Sequence, residues 1–201
     1  MKESDLNTRH QERMARKKAV VDAGIEKARQ KKGLIIVNTG NGKGKTSSAL
    51  GMLARSLGHG MRCAVIQFIK GRGATGEELF FAGLPNVDFH VMGDGFTWET
   101  QNREQDIATA QRAWHQALAY LQNPEYDFVL LDELTIVLKY GYLEEEPVLQ
   151  ALANKPTMQH VVITGRGAPP NLIGLADTVS EIRDVKHAYR HGIQAQKGVE
   201  L

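Results

Sequence analysis

Thr39-Gly40-Asn41-Gly42-Lys43-Gly44-Lys45-Thr46 is the stretch on which the fold turns. Apolar Leu34-Ile35-Ile36-Val37 precedes it, and a helical pattern of Ser47, Ala49, Leu50, Met52, Leu53 and Leu57 follows. Strand, glycine-rich turn and helix is the context in which a glycine motif becomes a phosphate site. The glycines let the backbone turn tightly and expose N–H groups, and the helix adds the positive end of its dipole. Lys45 is expected to reach phosphate oxygens, and the Thr46 hydroxyl to help hold Mg²⁺. Against the usual G-x-x-x-x-G-K-S/T spacing, Thr39 takes the place of the first glycine and Gly40 comes one residue late. The stretch predicts a nucleoside triphosphate site bound by Gly40, Asn41, Gly42, Lys43, Gly44, Lys45 and Thr46.

A second informative stretch is Asp127-Phe128-Val129-Leu130-Leu131-Asp132-Glu133. It reads as a buried strand whose carboxyl end carries two carboxylates, where they can meet Mg²⁺ directly or through water. Between the two stretches the pattern predicts strands over Cys63–Phe68 and Val87–Met92, a short helix over 76–83 and a long helix over about 103–121. The expected core face of the long helix is Ile107, Ala110, Trp114, Leu118 and Leu121. Further on come a helix over 145–153, a strand over His160–Thr164, a helix over 169–176 and a strand over 178–183. Strands alternating with helices imply an α/β fold, a mainly parallel sheet with helices on both faces.

The chain has 201 residues, 42% of them hydrophobic and 24% charged, which suits one α/β domain and excludes wholesale disorder. No apolar run approaches the roughly 18 residues needed to span a bilayer, so no membrane partner is expected. The charged N-terminus argues against a secretory signal. The single cysteine, Cys63, rules out an internal disulfide and fits a reducing cytoplasm. Residues 1–32 carry ten Lys/Arg against five Asp/Glu, a net +5 that leaves −3 for the remainder. They read as a basic helical arm, with Met14, Val21, Ile25 and Ala28 as a narrow apolar stripe, ahead of a domain over 33–201. Such an arm suits nucleic acid, a phosphate-bearing ligand or a partner subunit. No basic stripe elsewhere supports the nucleic-acid option.

His187 and His191 stand four apart, a spacing that can chelate a metal on a helix, but no acidic residue completes an H-E-x-x-H pattern. The cobalamin signature D-x-H-x-x-G is absent, because Asp184 and His187 are too far apart in sequence. Phe96 and Trp98 lie on a glycine-flanked loop. On residue chemistry alone they either anchor that loop or wall a flat ligand.

Six segments together resemble one family. They are Gly40–Thr46, Gln67-Phe68-Ile69-Lys70-Gly71, Gly95-Phe96-Thr97-Trp98-Glu99-Thr100, Leu131-Asp132-Glu133-Leu134, Thr164-Gly165-Arg166-Gly167 and Val185-Lys186-His187-Ala188. In this order they are similar to the ATP:corrinoid adenosyltransferases of the cobalamin pathway, the cob(I)yrinic acid a,c-diamide type, from about residue 10 to the C-terminus. The displaced Gly40 is the form this family uses, and G-F-T-W-E-T has no role in ordinary P-loop hydrolases. The resemblance implies a RecA-like P-loop domain and a homodimeric cytoplasmic enzyme. It would move the 5′-deoxyadenosyl group of ATP to Co(I) of a corrinoid (cob(I)yrinic acid a,c-diamide, cobinamide or cobalamin), releasing triphosphate. It implies Mg²⁺, with Mn²⁺ possible, held by Thr46 and Glu133 with Asp132 direct or one layer out. Arg166 and His187 join the nucleotide and corrinoid contacts. Phe96 and Trp98 fill the lower face of the corrinoid and exclude its axial donor, so that a flavodoxin-like protein can reduce Co(II). The N-terminal arm helps cover the site. A small-molecule kinase is the chief rival; it needs an acceptor base and an arginine-bearing lid, and neither is placed convincingly. A non-catalytic nucleotide-binding module is the third reading.

Overall fold

The computed structural model describes residues 3–69, 75–93 and 102–199. Two compact units divide at Lys32/Gly33. The first holds one long helix, α1 (Glu3–Lys27). Its exposed side chains include Met14, Val20, Val21 and Ile25. The i,i+4 pairs Arg16–Glu12 and Lys18–Asp22 run along its surface.

The second unit alternates strand and helix: β1 (Ile35–Thr39), α2 (Lys45–Gly58), β2 (Cys63–Gln67), α3 (Gly76–Phe81), β3 (Val87–Val91), α4 (Arg103–Leu121), β4 (Phe128–Asp132), α5 (Leu134–Lys139), α6 (Glu145–Ala153), β5 (His160–Thr164), α7 (Pro170–Leu175) and β6 (Thr178–Glu181). A 3₁₀ turn covers Ala188–His191. The six strands form one sheet in the order β3-β2-β4-β5-β1-β6, and every pairing is parallel.

Period-two alternation explains why the central strands read as unbroken apolar runs. Ala64, Ile66, Val129, Leu131, Val161 and Ile163 point to one core with Ala110, Ala113, Trp114, Ala117, Leu121 and Leu152. Their neighbours Cys63, Val65, Phe128, Leu130 and Val162 point to the other, with Ala49, Leu50 and Leu53 of α2. Helices therefore cover both faces. β6 is an outer strand on which all four residues are exposed.

Three local readings shift. The buried face of α4 centres on Ala110, Ala113, Trp114, Ala117, Tyr120 and Leu121, while Ile107 and Leu118 are only half-buried at its margins. Alanines at the centre let α4 lie close to the sheet. Helix α5 was not expected, because Leu134–Leu138 continues the apolar run of β4. The final strand stops at Glu181, two residues short of its predicted end.

Candidate active site

β1 and β4 end at the same edge of the sheet with β5 between them, which brings the glycine loop and Asp132-Glu133 together. Thr39 is the last residue of β1, buried and paired with Glu181 of β6. Its hydroxyl accepts from the Ala168 N–H at 3.3 Å. Gly40 makes the turn at φ 99°, and a Cβ there would stand 2.4 Å from the Ile182 carbonyl oxygen. The glycine is thus needed one position later than in the usual motif because the chain beyond β6 backs the loop. Gly42 sits equally close to that segment: its N–H donates to the Ile182 carbonyl at 2.7 Å, and a Cβ would meet Arg183 O at 2.5 Å. Gly44, at φ 111° and sterically open, is the left-handed entry to α2. Asn41 and Lys43 are exposed on the loop.

Lys45 is only 7% exposed, and its Nζ donates to the Gly42 carbonyl at 2.7 Å. Burial lowers its pKa below the ordinary lysine value, against the pull of Glu133, while Arg166 adds to the lowering. The Thr46 hydroxyl donates to Asp132 Oδ1 at 2.8 Å, and the Thr164 hydroxyl donates to the same oxygen at 2.6 Å. Gln67 Nε2 donates to Asp132 Oδ2 at 2.9 Å. Asp132 is therefore enclosed by three donors. Glu133 differs. Its φ of 63° is the sole positive value of a non-glycine among the described residues. Its N–H donates to Thr164 Oγ1 at 3.0 Å, and its Oε2 is buried with no hydrogen-bond partner among the described residues. Burial, then the neighbouring Asp132 charge, pushes the Glu133 carboxyl up to about 7, with Lys45 and Arg166 opposing.

Arg166 follows β5 and is exposed; its carbonyl accepts from Thr135 Oγ1 at 3.1 Å. His187 caps the 3₁₀ turn, its Nδ1 accepting from the Tyr189 N–H at 3.2 Å. The His187–His191 spacing therefore falls on a 3₁₀ turn rather than an α-helix, and no group of three or more His, Cys, Asp or Glu that could hold a metal occurs among the described residues. No hydrogen bond among the described residues joins His187 to the loop. Asp184 pairs with Arg190 at 2.6 Å and ties that turn to the segment behind Gly42. Phe96 and Trp98 lie outside the described residues. Thr164 and Gln67 were passed over in the sequence, although both sit inside quoted motifs.

A hydroxyl, one enclosed carboxylate and one unsatisfied carboxylate make an all-oxygen donor set. Mg²⁺ takes one or two carboxylates and completes its shell with phosphate oxygens and water, so this set fits it without a dedicated cage.

Loop, buried lysine and acidic strand on an all-parallel sheet define a RecA-like P-loop nucleotide-binding protein. Comparison with known proteins narrows this. The family model described as ATP:corrinoid adenosyltransferase BtuR/CobO/CobP matches residues 31–201, and that of the Cob(I)alamin adenosyltransferase N terminal matches residues 1–25. A corrinoid adenosyltransferase of Pseudomonas aeruginosa is 58% identical over 198 residues, 98% of each chain. Another from Escherichia coli K12 is 48% identical over 192 residues, covering 96% of this chain and 97% of the relative. The corrinoid adenosyltransferase CobA of Salmonella typhimurium shows the same identity and coverage. The chain belongs to the ATP:corrinoid adenosyltransferase family and is a transferase. No helix among the described residues is long and apolar enough to cross a membrane.

Proposed function

We propose that the chain transfers the 5′-deoxyadenosyl group of ATP to Co(I) of a corrinoid through the site built by Lys45, Thr46, Asp132 and Glu133. Co(I) is the nucleophile, so the protein need supply neither serine, cysteine nor general base. A Co–C bond forms at C5′, the C5′–O bond breaks, and its electron pair leaves with triphosphate. Lys45, poised in the loop by its bond to the Gly42 carbonyl, and the loop N–H groups other than that of Gly42, which is bonded to Ile182, stabilise that charge as it grows. Thr46 and Glu133 would hold Mg²⁺, which when bound neutralises phosphate charge, and Asp132 orients Thr46 from one layer out. Mn²⁺ is an alternative with the same oxygen ligands. Arg166, electrostatically coupled to Lys45 and Glu133, adds positive charge near the phosphates, and His187 contributes from the C-terminal turn.

The reading extends to Phe96 and Trp98 as the apolar wall below the corrinoid, to a homodimer, to a basic arm over 1–32 that helps cover the site, and to a cytoplasmic enzyme served by a flavodoxin-like reductase. What supports the core reading most is the unsatisfied Glu133 carboxylate beside a phosphate loop in a chain of this family. The test is anaerobic incubation with ATP, Mg²⁺ and chemically reduced cobalamin. Alkylated corrinoid with triphosphate is expected; ADP with a phosphorylated acceptor would indicate a kinase. Phe96→Ala and Trp98→Ala should lose much more activity when cobalt arrives as Co(II) with a flavoprotein than as preformed Co(I). Equal losses in both assays would remove the two aromatics from the reduction step.

A further inference from the structure

Gln67 closes β2 at the carboxyl edge of the sheet, paired with Asp132 on one side and Val91 on the other. It is 6% exposed. One end of its amide is committed, since Nε2 donates to Asp132 Oδ2 at 2.9 Å. The other is not: Oε1 is buried with no hydrogen-bond partner among the described residues. Turning the amide over gives no relief, because Oε1 would then face a carboxylate and both would be unpaired. A glutamate at this place would set a third carboxylate beside Asp132 and Glu133, so neutrality matters as well as shape. The remainder of β2 is Cys63-Ala64-Val65-Ile66, all buried, and an apolar residue at 67 would avoid the orphaned carbonyl altogether. A buried acceptor left over beside a reacting site implies a donor that arrives with a ligand.

We propose that Gln67 is a substrate-contacting and positioning residue of the transfer site. Its NH₂ holds Asp132, and through Asp132 the Thr46 and Thr164 hydroxyls, while its carbonyl oxygen accepts a hydrogen bond from an N–H or O–H of a bound substrate. The inference rests on the adenosyl-transfer reading above. Two sources carry this donor chemistry, the ribose hydroxyls of ATP and the carboxamide arms of the corrinoid.

The test uses the full chain carrying Gln67→Met, Gln67→Glu or Gln67→Asn, assayed with preformed Co(I). Methionine keeps the length and burial but removes both ends of the amide. Its kcat/KM should fall roughly 10- to 100-fold, the effect of leaving buried polar groups unpaired. A raised KM for ATP identifies the ribose as the donor, and a raised KM for the corrinoid identifies a carboxamide. Gln67→Glu keeps an acceptor but turns a negative charge on Asp132, and should weaken ATP–Mg²⁺ binding measured by calorimetry without corrinoid. In an Asp132→Asn background the loss from Gln67→Met should shrink, because the two side chains act as a unit. Thermal unfolding accompanies each variant. Where Gln67→Met is unfolded, Gln67→Asn, which shortens the amide, carries the same expectation. A folded variant with kcat/KM within about twofold of the parent for both substrates would overturn the proposal, since one lost hydrogen bond should cost more. So would full additivity with Asp132→Asn. A parent protein that transfers no adenosyl group would instead overturn the functional reading.

Discussion

The two ends of the sheet both carry buried polar networks, and they are wired differently. At the amino end, side chains mostly serve the backbone. Gln159 Nε2 reaches the carbonyls of Tyr120, Asn123 and Tyr126. Lys155 Nζ donates to the Gly33 and Gln159 carbonyls, Asp177 accepts from the Ile35 N–H and Asp127 from the Arg62 N–H. At the carboxyl end the bonds run from side chain to side chain, converging on Asp132 from Thr46, Thr164 and Gln67. Gln159 Oε1 is unpaired at the amino end, whereas near the phosphate loop the unpaired atoms include carboxylate oxygens, Glu133 Oε2 and, on the segment behind Gly42, Asp184 Oδ1. One network closes the chain on itself. The other keeps bonding capacity in reserve, and a charged group held in reserve is the mark of a site awaiting a ligand.

The comparison breaks most visibly under substitution. Lys45→Ala should cut transfer from preformed Co(I) by about 10²–10³-fold or more, as expected for losing a charged donor at a developing anion. Its thermal midpoint should stay near the parent's, because among the described residues Nζ bonds only a loop carbonyl. Near-normal turnover in a folded Lys45→Ala would take the residue out of the mechanism. Gln159→Leu should do the reverse, lowering stability by about 1–3 kcal/mol, because the Tyr126 carbonyl loses its side-chain donor while the Tyr120 and Asn123 carbonyls keep only their backbone donors, the Asn123 and Tyr126 N–H groups. The folded fraction should retain parental kcat. Denaturant titration beside steady-state kinetics checks both halves, and a stable but inactive variant would show the two ends to be coupled.

The smallest effect concerns pH. His160 Nδ1 accepts from the Leu34 N–H at 3.1 Å, so the ring must be unprotonated there. Burial, reinforced by Lys155 and opposed by Asp127, lowers its folded pKa below the ordinary 6.5. Below that ordinary value the unfolded chain binds more protons than the folded one. This group therefore costs no stability above 6.5, and the cost grows as pH falls through 6.5 toward the lower folded value. His160→Gln, which cannot titrate, should flatten that part of the stability profile. Identical slopes in parent and variant would assign the acid sensitivity elsewhere.

Sequence patterning reached the doubly buried strands and the carboxyl edge because each leaves a local signature: apolar runs of three or four residues, a glycine loop, an acidic pair. It did not reach α5, whose first residue follows directly on the left-handed turn at Glu133. A one-residue reversal at a non-glycine has no compositional signal. Nor did it give Thr164 and Gln67 their places, since each meets Asp132 across a strand pairing of neighbours distant in sequence. The α4 face includes the expected Ala110, Trp114 and Leu121, and close packing adds Ala113 and Ala117, which the pattern of large residues does not single out. The His187–His191 spacing has no acidic partner in the sequence, and 3.6-residue periodicity does not apply to the 3₁₀ turn on which it falls.

The backbone at Glu133 also ranks the demands made on that position. A left-handed conformation costs a non-glycine residue about 1–2 kcal/mol, and glycine adopts it freely. Folding alone would therefore favour glycine at the junction of β4 and α5, the more so because a carboxylate must also be buried there unpaired. Glu133→Gly should accordingly melt no lower than the parent while losing adenosyl transfer. A residue that the fold would do better without is one retained for chemistry, and a single chain's torsion angles reveal it without any second sequence.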